Sequence, residues 1–256
     1  AAKMAGTIDQ VLALLPFEPP YMEAAGMRCD FVGHPVVARP EPSAEAVSAL
    51  RSEALGGAVG PLILVLPGSR RSEVTRLSPI FGATVAEMRR GHPGLRVVLP
   101  AAPSVAPLVR AAVAKWEVST LVIDPAEADA GARKAAAFAA ADVALAASGT
   151  VSLELAAAGT PMVIGYDMAW LTMRIMRRMA LIDTVTLVNL VSETRVVPEC
   201  IGPECRPELL SAALSDTLAR PQAQKAAMAT TMARLGASGA PPGHRAARAV
   251  LDGLGR

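Results

Sequence analysis

Two short loops made of small and polar residues carry the side chains best suited to chemistry. The first loop consists of Gly68, Ser69 and Arg70 and follows an apolar run at residues 62–66. Gly68 permits a tight turn close to a ligand, Ser69 offers a hydroxyl and an amide, and Arg70 offers a planar cation that suits phosphate oxygens. A helix follows, so its free amides and positive dipole end would face the same anion. The pattern predicts a diphosphate site, with a plain helix-capping turn as the alternative.

The second loop consists of Ser148, Gly149 and Thr150 and follows another apolar run, at residues 143–146. Its small residues again leave amides accessible to an anion, and Ser148 or Thr150 can cap the helix that follows. Glu154 lies one helical turn further on, where its carboxylate could accept hydrogen bonds from a ribose diol. The alternative for Glu154 is a plain helix-dipole contact. Two such loops on one sheet indicate an anion site more strongly than one loop does.

Neither loop matches the common nucleotide-binding fingerprints. The first loop lacks the Gly-Lys-Ser/Thr ending of a P-loop, and a Gly-x-Gly-x-x-Gly sequence is absent. The two loops therefore predict an anion site without identifying the nucleotide that it holds.

A third segment, residues 186–190, contains the polar Asn189 within an apolar run. A side-chain amide in such a position is either hydrogen-bonded inside the core or in contact with a ligand. The spacing alone favours the core, and ligand contact is the alternative.

Residues 167–182 are typical of a Met-rich basic helix. At helical spacing, Trp170 and Met173 share a side with Arg174 and Arg177. Exposed apolar side chains beside arginines favour contact with a lipid headgroup layer or an amphiphilic substrate. A helix covered by another domain or subunit would show the same pattern.

The elements that must position these loops alternate along the chain. Five short apolar runs are predicted strands, and helical stretches lie between them: residues 62–66, 95–99, 120–123, 143–146 and 161–165. Such alternation predicts an α/β fold with a doubly wound, Rossmann-like parallel sheet. Ligands of such sheets bind at the carboxyl ends of the strands, which is where both loops lie.

The chain divides into three parts on composition. Residues 61–256 hold the predicted anion-binding domain with its C-terminal helices, and the Pro- and Gly-rich residues 36–60 are a predicted linker with a leading helix. Residues 1–35 hold two strand-like runs, 11–15 and 29–32, typical of the last unit of a preceding domain. We expect the chain to be a piece of a longer protein, with N-terminal processing as the alternative.

Composition excludes several classes of protein. Hydrophobic residues make up 52% of the 256 residues, and a net charge of +2 is too balanced for bulk nucleic-acid binding. Cys29, Cys200 and Cys205 form no disulfide framework, which favours a reducing cytosol, and no second Cys or His pair completes a zinc site. No apolar run reaches the ~18–20 residues that span a bilayer.

The motifs occur in a characteristic order along nearly the whole chain. They are FVGHP at residues 31–35, LPGSR at 66–70 with Glu73-Val74, ASGT at 147–150 with Leu153-Glu154, PMV at 161–163, and Asn189-Leu190. Single motifs are shared with other two-domain UDP-sugar transferases, but the combination resembles the lipid-A-disaccharide synthases.

The resemblance implies the C-terminal, donor-binding half of a two-domain GT-B-type glycosyltransferase. The family transfers diacylglucosamine from a UDP donor to diacylglucosamine phosphate (lipid X). It uses no metal or other cofactor and works from the cytosol as a peripheral inner-membrane enzyme, and a homodimer is a further expectation. The resemblance implies roles by position for these donor-site residues: Gly68, Ser69, Arg70, Ser148, Gly149 and Thr150 at the diphosphate, Glu154 at the ribose, and Asn189 near the diphosphate or the transferred sugar.

The chain also departs from the family pattern. Val188 stands where the family usually has Pro before the Asn, and Gly202 stands where a Gln commonly follows Pro198 and Glu199. The acceptor groove and the general base are expected in the N-terminal domain, so no catalytic residue is assigned here and the chain alone is expected to be inactive. The alternatives are another UDP-sugar transferase or epimerase of this fold, and a non-catalytic nucleotide-binding module.

Overall fold

The computed structural model describes residues 1–167 and 183–255. The chain begins with a small unit in which strand β1 (Gln10–Ala13), helix α1 (Pro19–Glu23) and strand β2 (Arg28–Phe31) follow one another. The two strands pair in parallel, and they form a two-stranded sheet of their own. A 3-10 turn (Pro35–Ala38) and helix α2 (Ala44–Leu55) lead from this unit to the main sheet.

The main sheet has six parallel strands in the order β5-β4-β3-β6-β7-β8. Their bounds are β3 (Leu62–Leu66), β4 (Arg96–Pro100), β5 (Thr120–Ile123), β6 (Val143–Ala146), β7 (Met162–Tyr166) and β8 (Glu199–Ile201). This is the strand order of doubly wound nucleotide-binding folds, in which the direction of winding reverses between the two central strands. The predicted α/β class and parallel sheet are confirmed.

Helices connect these strands or follow the last of them, and they cover both faces of the sheet. They are α3 (Arg71–Gly91), α4 (Ala106–Val113), α5 (Ala130–Ala140), α6 (Val151–Ala158), α7 (Leu187–Ser192), α8 (Pro207–Ala219), α9 (Gln222–Arg234) and α10 (Pro242–Gly253). None of the described helices is both long and apolar enough to cross a bilayer.

Strand β3 shows why the sequence forms a sheet covered on both sides. All five of its residues are buried, because successive side chains point to opposite faces and each face carries helices. Leu62, Leu64 and Leu66 join one apolar cluster, beside α5, α6 and α9. Ile63 and Val65 join the other cluster, beside α3, α4 and α8. A continuous apolar run is therefore the expected pattern for this strand.

The sequence-based boundaries hold for most elements and fail in a few places. Strand β8 was not predicted, since its three residues contain Glu199 and follow a proline. The helical stretch predicted between the runs 95–99 and 120–123 is a 3-10 turn (Pro103–Val105) followed by the short helix α4.

The C-terminal helix α10 returns to the small N-terminal unit. The side-chain amide of Gln10 donates to the carbonyl of Ala249 at 2.8 Å and to the carboxylate of Asp30 at 2.7 Å. The guanidinium of Arg245 lies 5.9 Å from the centre of the Phe31 ring, within range of a cation–π contact. The N-terminal unit is thus attached to the main domain through α10 as well as through the connecting segment.

Candidate functional site

The two predicted loops leave neighbouring strands at the same edge of the sheet. Strands β3 and β6 are adjacent, with Leu66 paired to Ala146, and the amide of Ala147 donates to the carbonyl of Leu66 at 2.8 Å. The loops that follow therefore lie side by side at the carboxyl ends of the two central strands. This is the point where the winding direction changes and where ligands of such folds bind.

A cleft of about 660 Å³ lies at this edge. All three residues of the first loop and all three of the second line it, together with Glu154. The segments after β4 and β5 and the helix α5 form the rest of the wall, including Ala101, Pro103, Pro125, Lys134 and Phe138. The structure therefore brings together seven of the eight site residues that the sequence predicted, and Asn189 does not line this cleft.

The first loop is bound by a carboxylate from its own helix. The amides of Ser69 and Arg70 donate to Glu73 Oε2 at 3.1 and 3.2 Å, and Arg70 Nη1 donates to Glu73 Oε1 at 3.1 Å. Glu73 is the third residue of α3, so the contact to Arg70 is the backbone half of a capping box. The two loop amides expected to face a phosphate are thus engaged by Glu73.

Two further features fix the shape of the first loop. Gly68 has φ +109°, a conformation that favours glycine, and a Cβ there would lie 2.5 Å from Glu73 Oε2. The hydroxyl of Ser104 donates to the carbonyl of Ser69 at 3.0 Å. The peptide of Ser69 is therefore held at its N–H and at its carbonyl, while the Arg70 side chain stays 78% exposed at the rim of the cleft.

Among residues 1–167 and 183–255, the contacts of the second loop use its carbonyls and the Ser148 hydroxyl. Ser152 Oγ donates to the carbonyl of Gly149 at 3.0 Å, and Ser148 Oγ donates to the carbonyl of Val185 at 3.3 Å. The amides of residues 148–150 donate to none of the residues that the structure describes. The expectation that Ser148 or Thr150 caps α6 is wrong, since Thr150 makes no side-chain cap and the Ser148 hydroxyl bonds elsewhere.

Glu154 lies in the wall of the cleft between two cations. Its Oε2 accepts from Lys134 Nζ at 2.8 Å and lies 2.7 Å from Arg39 Nη1. Both contacts use Oε2, and within residues 1–167 and 183–255 no hydrogen bond reaches Oε1. One carboxylate oxygen is therefore oriented by the protein, and the other is available to a hydroxyl group in the cleft.

These contacts determine the charge of Glu154. Burial alone would raise its pKa, but the hydrogen bonds from Lys134 and Arg39 and their positive charges outweigh burial and lower the pKa below the ordinary 4.5. The neighbouring His34 has a lowered pKa, because of its burial and the positive charge of Arg39. Glu154 is accordingly ionised at neutral pH, and an ionised carboxylate accepts hydrogen bonds from hydroxyl groups more strongly than a neutral carboxyl group does.

Asn189 is placed in the core. It is 1% exposed, its Nδ2 donates to the carbonyl of Val197 at 2.9 Å and to Glu199 Oε1 at 3.3 Å, and its Oδ1 accepts from the amide of Val197 at 3.0 Å. This geometry corresponds to the alternative in which the Asn189 side chain is hydrogen-bonded inside the core. A direct contact between Asn189 and a ligand stays a prediction.

Sequence reasoning assigned no role to four side chains that shape the site. Glu73 was recognisable, because a Glu three residues after a helix start is the known capping signal. Arg39 and Lys134 gave no signal, since they reach Glu154 from the connecting segment and from α5. Glu199 accepts from the amides of Val185 and Thr186 and so orders the turn that contacts Ser148. The predicted Met-rich helix at residues 167–182 lies outside the described residues except for Asp167.

Two solved structures have a similar fold. MurG from Acinetobacter baumannii matches with a TM-score of 0.52 and 17% identity, over 95% of this chain and 60% of that one. UDP-GlcNAc 2-epimerase from Neisseria meningitidis, in a structure bound to UDP-GlcNAc, matches with a TM-score of 0.55 and 13% identity, over 96% and 62%. The fold is thus the α/β arrangement shared by GT-B-type glycosyltransferases and their epimerase relatives.

Sequence relatives identify the family within this class. A family model described as lipid-A-disaccharide synthetase matches residues 1–242. The lipid-A-disaccharide synthase of Ruegeria pomeroyi is 62% identical over 99% of this chain and 64% of its own length. That of Rhodospirillum centenum is 44% identical over 98% of the chain and 62% of its own length. The chain belongs to the lipid-A-disaccharide synthase family and spans just under two thirds of the length of these relatives.

Proposed function

We propose that the cleft between the two loops binds the UDP moiety of a nucleotide-sugar donor. The observation that carries the proposal is the pairing of two glycine-containing loops at the winding reversal with an ionised Glu154 in the same wall. The diphosphate lies against Gly68, Ser69 and Arg70 on one side and residues 148–150 on the other. The ribose hydroxyls donate to Oε1 of Glu154.

The chemistry of transfer suits this arrangement. Breaking the bond between sugar and UDP leaves negative charge on the diphosphate, and the Arg70 guanidinium and the second-loop amides stabilise that charge as it develops. The acceptor hydroxyl must lose a proton to a general base. We assign that base and the acceptor groove to the part of the family's proteins that lies beyond the matched region.

For the whole enzyme, we propose transfer of diacylglucosamine from UDP-diacylglucosamine to lipid X, which forms the lipid A disaccharide. The support is membership of the family and the donor cleft described above. Residues 1–35 then form the end of the acceptor domain, and residues 36–60 link it to the donor domain at 61–256. The chain alone binds the donor without turnover, and the whole enzyme works at the cytosolic surface of the inner membrane, with a homodimer as its expected assembly.

Calorimetric titration of residues 1–256 with UDP tests the site. Arg70→Ala removes a charged contact to the diphosphate, so UDP affinity should fall by on the order of 10- to 100-fold, as for hydrogen bonds to charged groups. Arg71→Ala is the matched control, because it removes the same charge at the next residue, the first of α3, outside the cleft lining. Equal losses of UDP affinity from the two substitutions would contradict the assignment of the first loop to the diphosphate.

A further inference from the structure

Glu73, the third residue of α3, contacts the first loop, and charge attraction to the diphosphate does not explain its presence. Its side chain is 12% exposed, and its carboxylate lies in the cleft wall beside the proposed diphosphate position. A negative charge at that point repels a diphosphate. The sequence nevertheless places a carboxylate there, so the geometry must compensate for the repulsion.

Two roles are physically distinct. In the first, Glu73 imitates the ligand anion and must leave when the diphosphate binds. In the second, Glu73 stays and holds the loop in the shape that binds. The two roles predict opposite changes in UDP affinity when Glu73 is replaced. Removing a competing anion strengthens UDP binding, whereas removing a support weakens it.

The contacts favour a support. Glu73 Oε2 accepts two adjacent amides, and its departure would leave the amides of Ser69 and Arg70 without that partner. The space is also tight, since a Cβ on Gly68 would lie 2.6 Å from the Cβ of Glu73. Glu73 therefore lies packed against the loop backbone, which is already held from the other side by Ser104.

The contact to Arg70 leaves most of the guanidinium available. Only Nη1 donates to Glu73 Oε1, at 3.1 Å, while a guanidinium carries five N–H donors. One bond favours a particular direction of the planar group, and the remaining donors stay at the exposed rim of the cleft. An ion pair of this kind reduces the freedom that a long side chain would lose on binding a phosphate.

We propose that Glu73 is a positioning residue for the donor diphosphate. It holds the backbone of the first loop and aims the Arg70 guanidinium, and it remains in place when the donor binds. The inference rests on the proposed function of the cleft.

The test compares UDP affinity of residues 1–256 with that of Glu73→Gln and Glu73→Ala. We expect Glu73→Ala to weaken UDP binding on the order of tenfold, as for a lost charged hydrogen bond. Glu73→Gln should lie between it and the unaltered chain, because the amide oxygen still accepts a backbone N–H. Glu87→Gln and Glu87→Ala are matched controls, since Glu87 forms a similar pair with Arg90 near the other end of α3. Thermal unfolding followed by circular dichroism accompanies each variant.

A double-substitution cycle separates positioning from plain stability. If Glu73 acts through Arg70, the loss of affinity caused by Glu73→Gln shrinks when Arg70 is already Ala. Unchanged or tighter UDP binding by both Glu73 variants would overturn the positioning role, even where Arg70→Ala weakens binding. Absence of UDP binding by the unaltered chain would overturn the proposed function and this inference together.

Discussion

The two loops of the cleft have similar sequences, but their backbone amides differ in whether a side chain of the protein engages them. Each follows a buried strand, contains a glycine with positive φ and opens into a helix: Gly68 before α3 and Gly149 before α6. In the first loop, the amides of two residues are engaged by Glu73. In the second loop, the amides of residues 148–150 meet no partner among the described residues.

The position of one glutamate accounts for the difference. Glu73 lies three residues after the helix-preceding Arg70, from where a side chain reaches back to the loop amides. Glu154 lies four residues after Thr150, and its carboxylate points to Lys134 and Arg39. The same residue type thus supports the loop in one case and serves the ligand in the other. A shift of one position along a helix changes which groups an acidic side chain meets.

The largest expected effect comes from replacing the two glycines by alanine. Gly149→Ala adds a Cβ in open space and costs only backbone strain, about 1–3 kcal/mol. Gly68→Ala adds strain and also pushes Glu73 out of its contacts, which costs about 1–3 kcal/mol more. Urea unfolding measures both losses. Equal destabilisation by the two variants would contradict the proposed difference between the loops.

A smaller effect is expected from Lys134→Met, and it depends on pH. Lys134 lowers the pKa of Glu154, so its loss leaves burial, which raises that pKa, opposed by Arg39 alone. The ionised carboxylate accepts the ribose hydroxyls. UDP affinity should therefore begin to fall at a higher pH in the variant than in the unaltered chain, as the pH is lowered from 8 toward 4.

Calorimetry at a series of pH values checks this expectation. The titration of UDP and of His34 is common to both proteins, so the difference between the two curves reports on Glu154. Lys225→Met is the matched control, because it removes the same charge from α9. If Lys225→Met moves the curve as far as Lys134→Met does, the effect comes from net charge and the local ion pair is not its cause.

The smallest effects concern the hydroxyls that hold each loop through a carbonyl. Ser152 is fully buried and donates to Gly149, so Ser152→Ala should destabilise the fold by about 1 kcal/mol. Ser104 is exposed and donates to Ser69, so Ser104→Ala should cost about 0.5 kcal/mol. Denaturant midpoints of the two variants, measured side by side, show which substitution destabilises the fold more. A larger loss for Ser104→Ala would show that the first loop depends on this bond more than its exposure implies.

The sequence predicts the sheet because burial on both faces leaves a simple pattern. Runs such as residues 62–66 and 143–146 are continuous and apolar, and their ends mark the loops. The pattern does not predict strand β8. This strand lies at the sheet edge, and its three residues include Glu199 and form no continuous apolar run. Family resemblance supplied the nucleotide and the sugar, which the loop residues alone did not identify.

The arrangement of charges inside the cleft was beyond sequence reasoning. Arg39 meets Glu154 only because the connecting segment folds against α6, and Lys134 meets it from α5. The core location of Asn189 depends on its bonds to Val197, in a loop after α7. Contacts between side chains of different elements follow from the packed structure, whereas loop position follows from the strands.

The return of α10 to the N-terminal unit has a mechanical consequence. The unit is joined to the main sheet by the covalent segment after β2, and independently by α10 through Gln10 and Ala249. Leu15 and Phe17 add a third attachment, because they pack against the apolar cluster that includes Leu62 and Leu64. Separated attachments restrict rotation of the unit more than a single attachment would. A substitution in the C-terminal helix α10 would thus change how firmly the distant N-terminal unit is held against the main sheet.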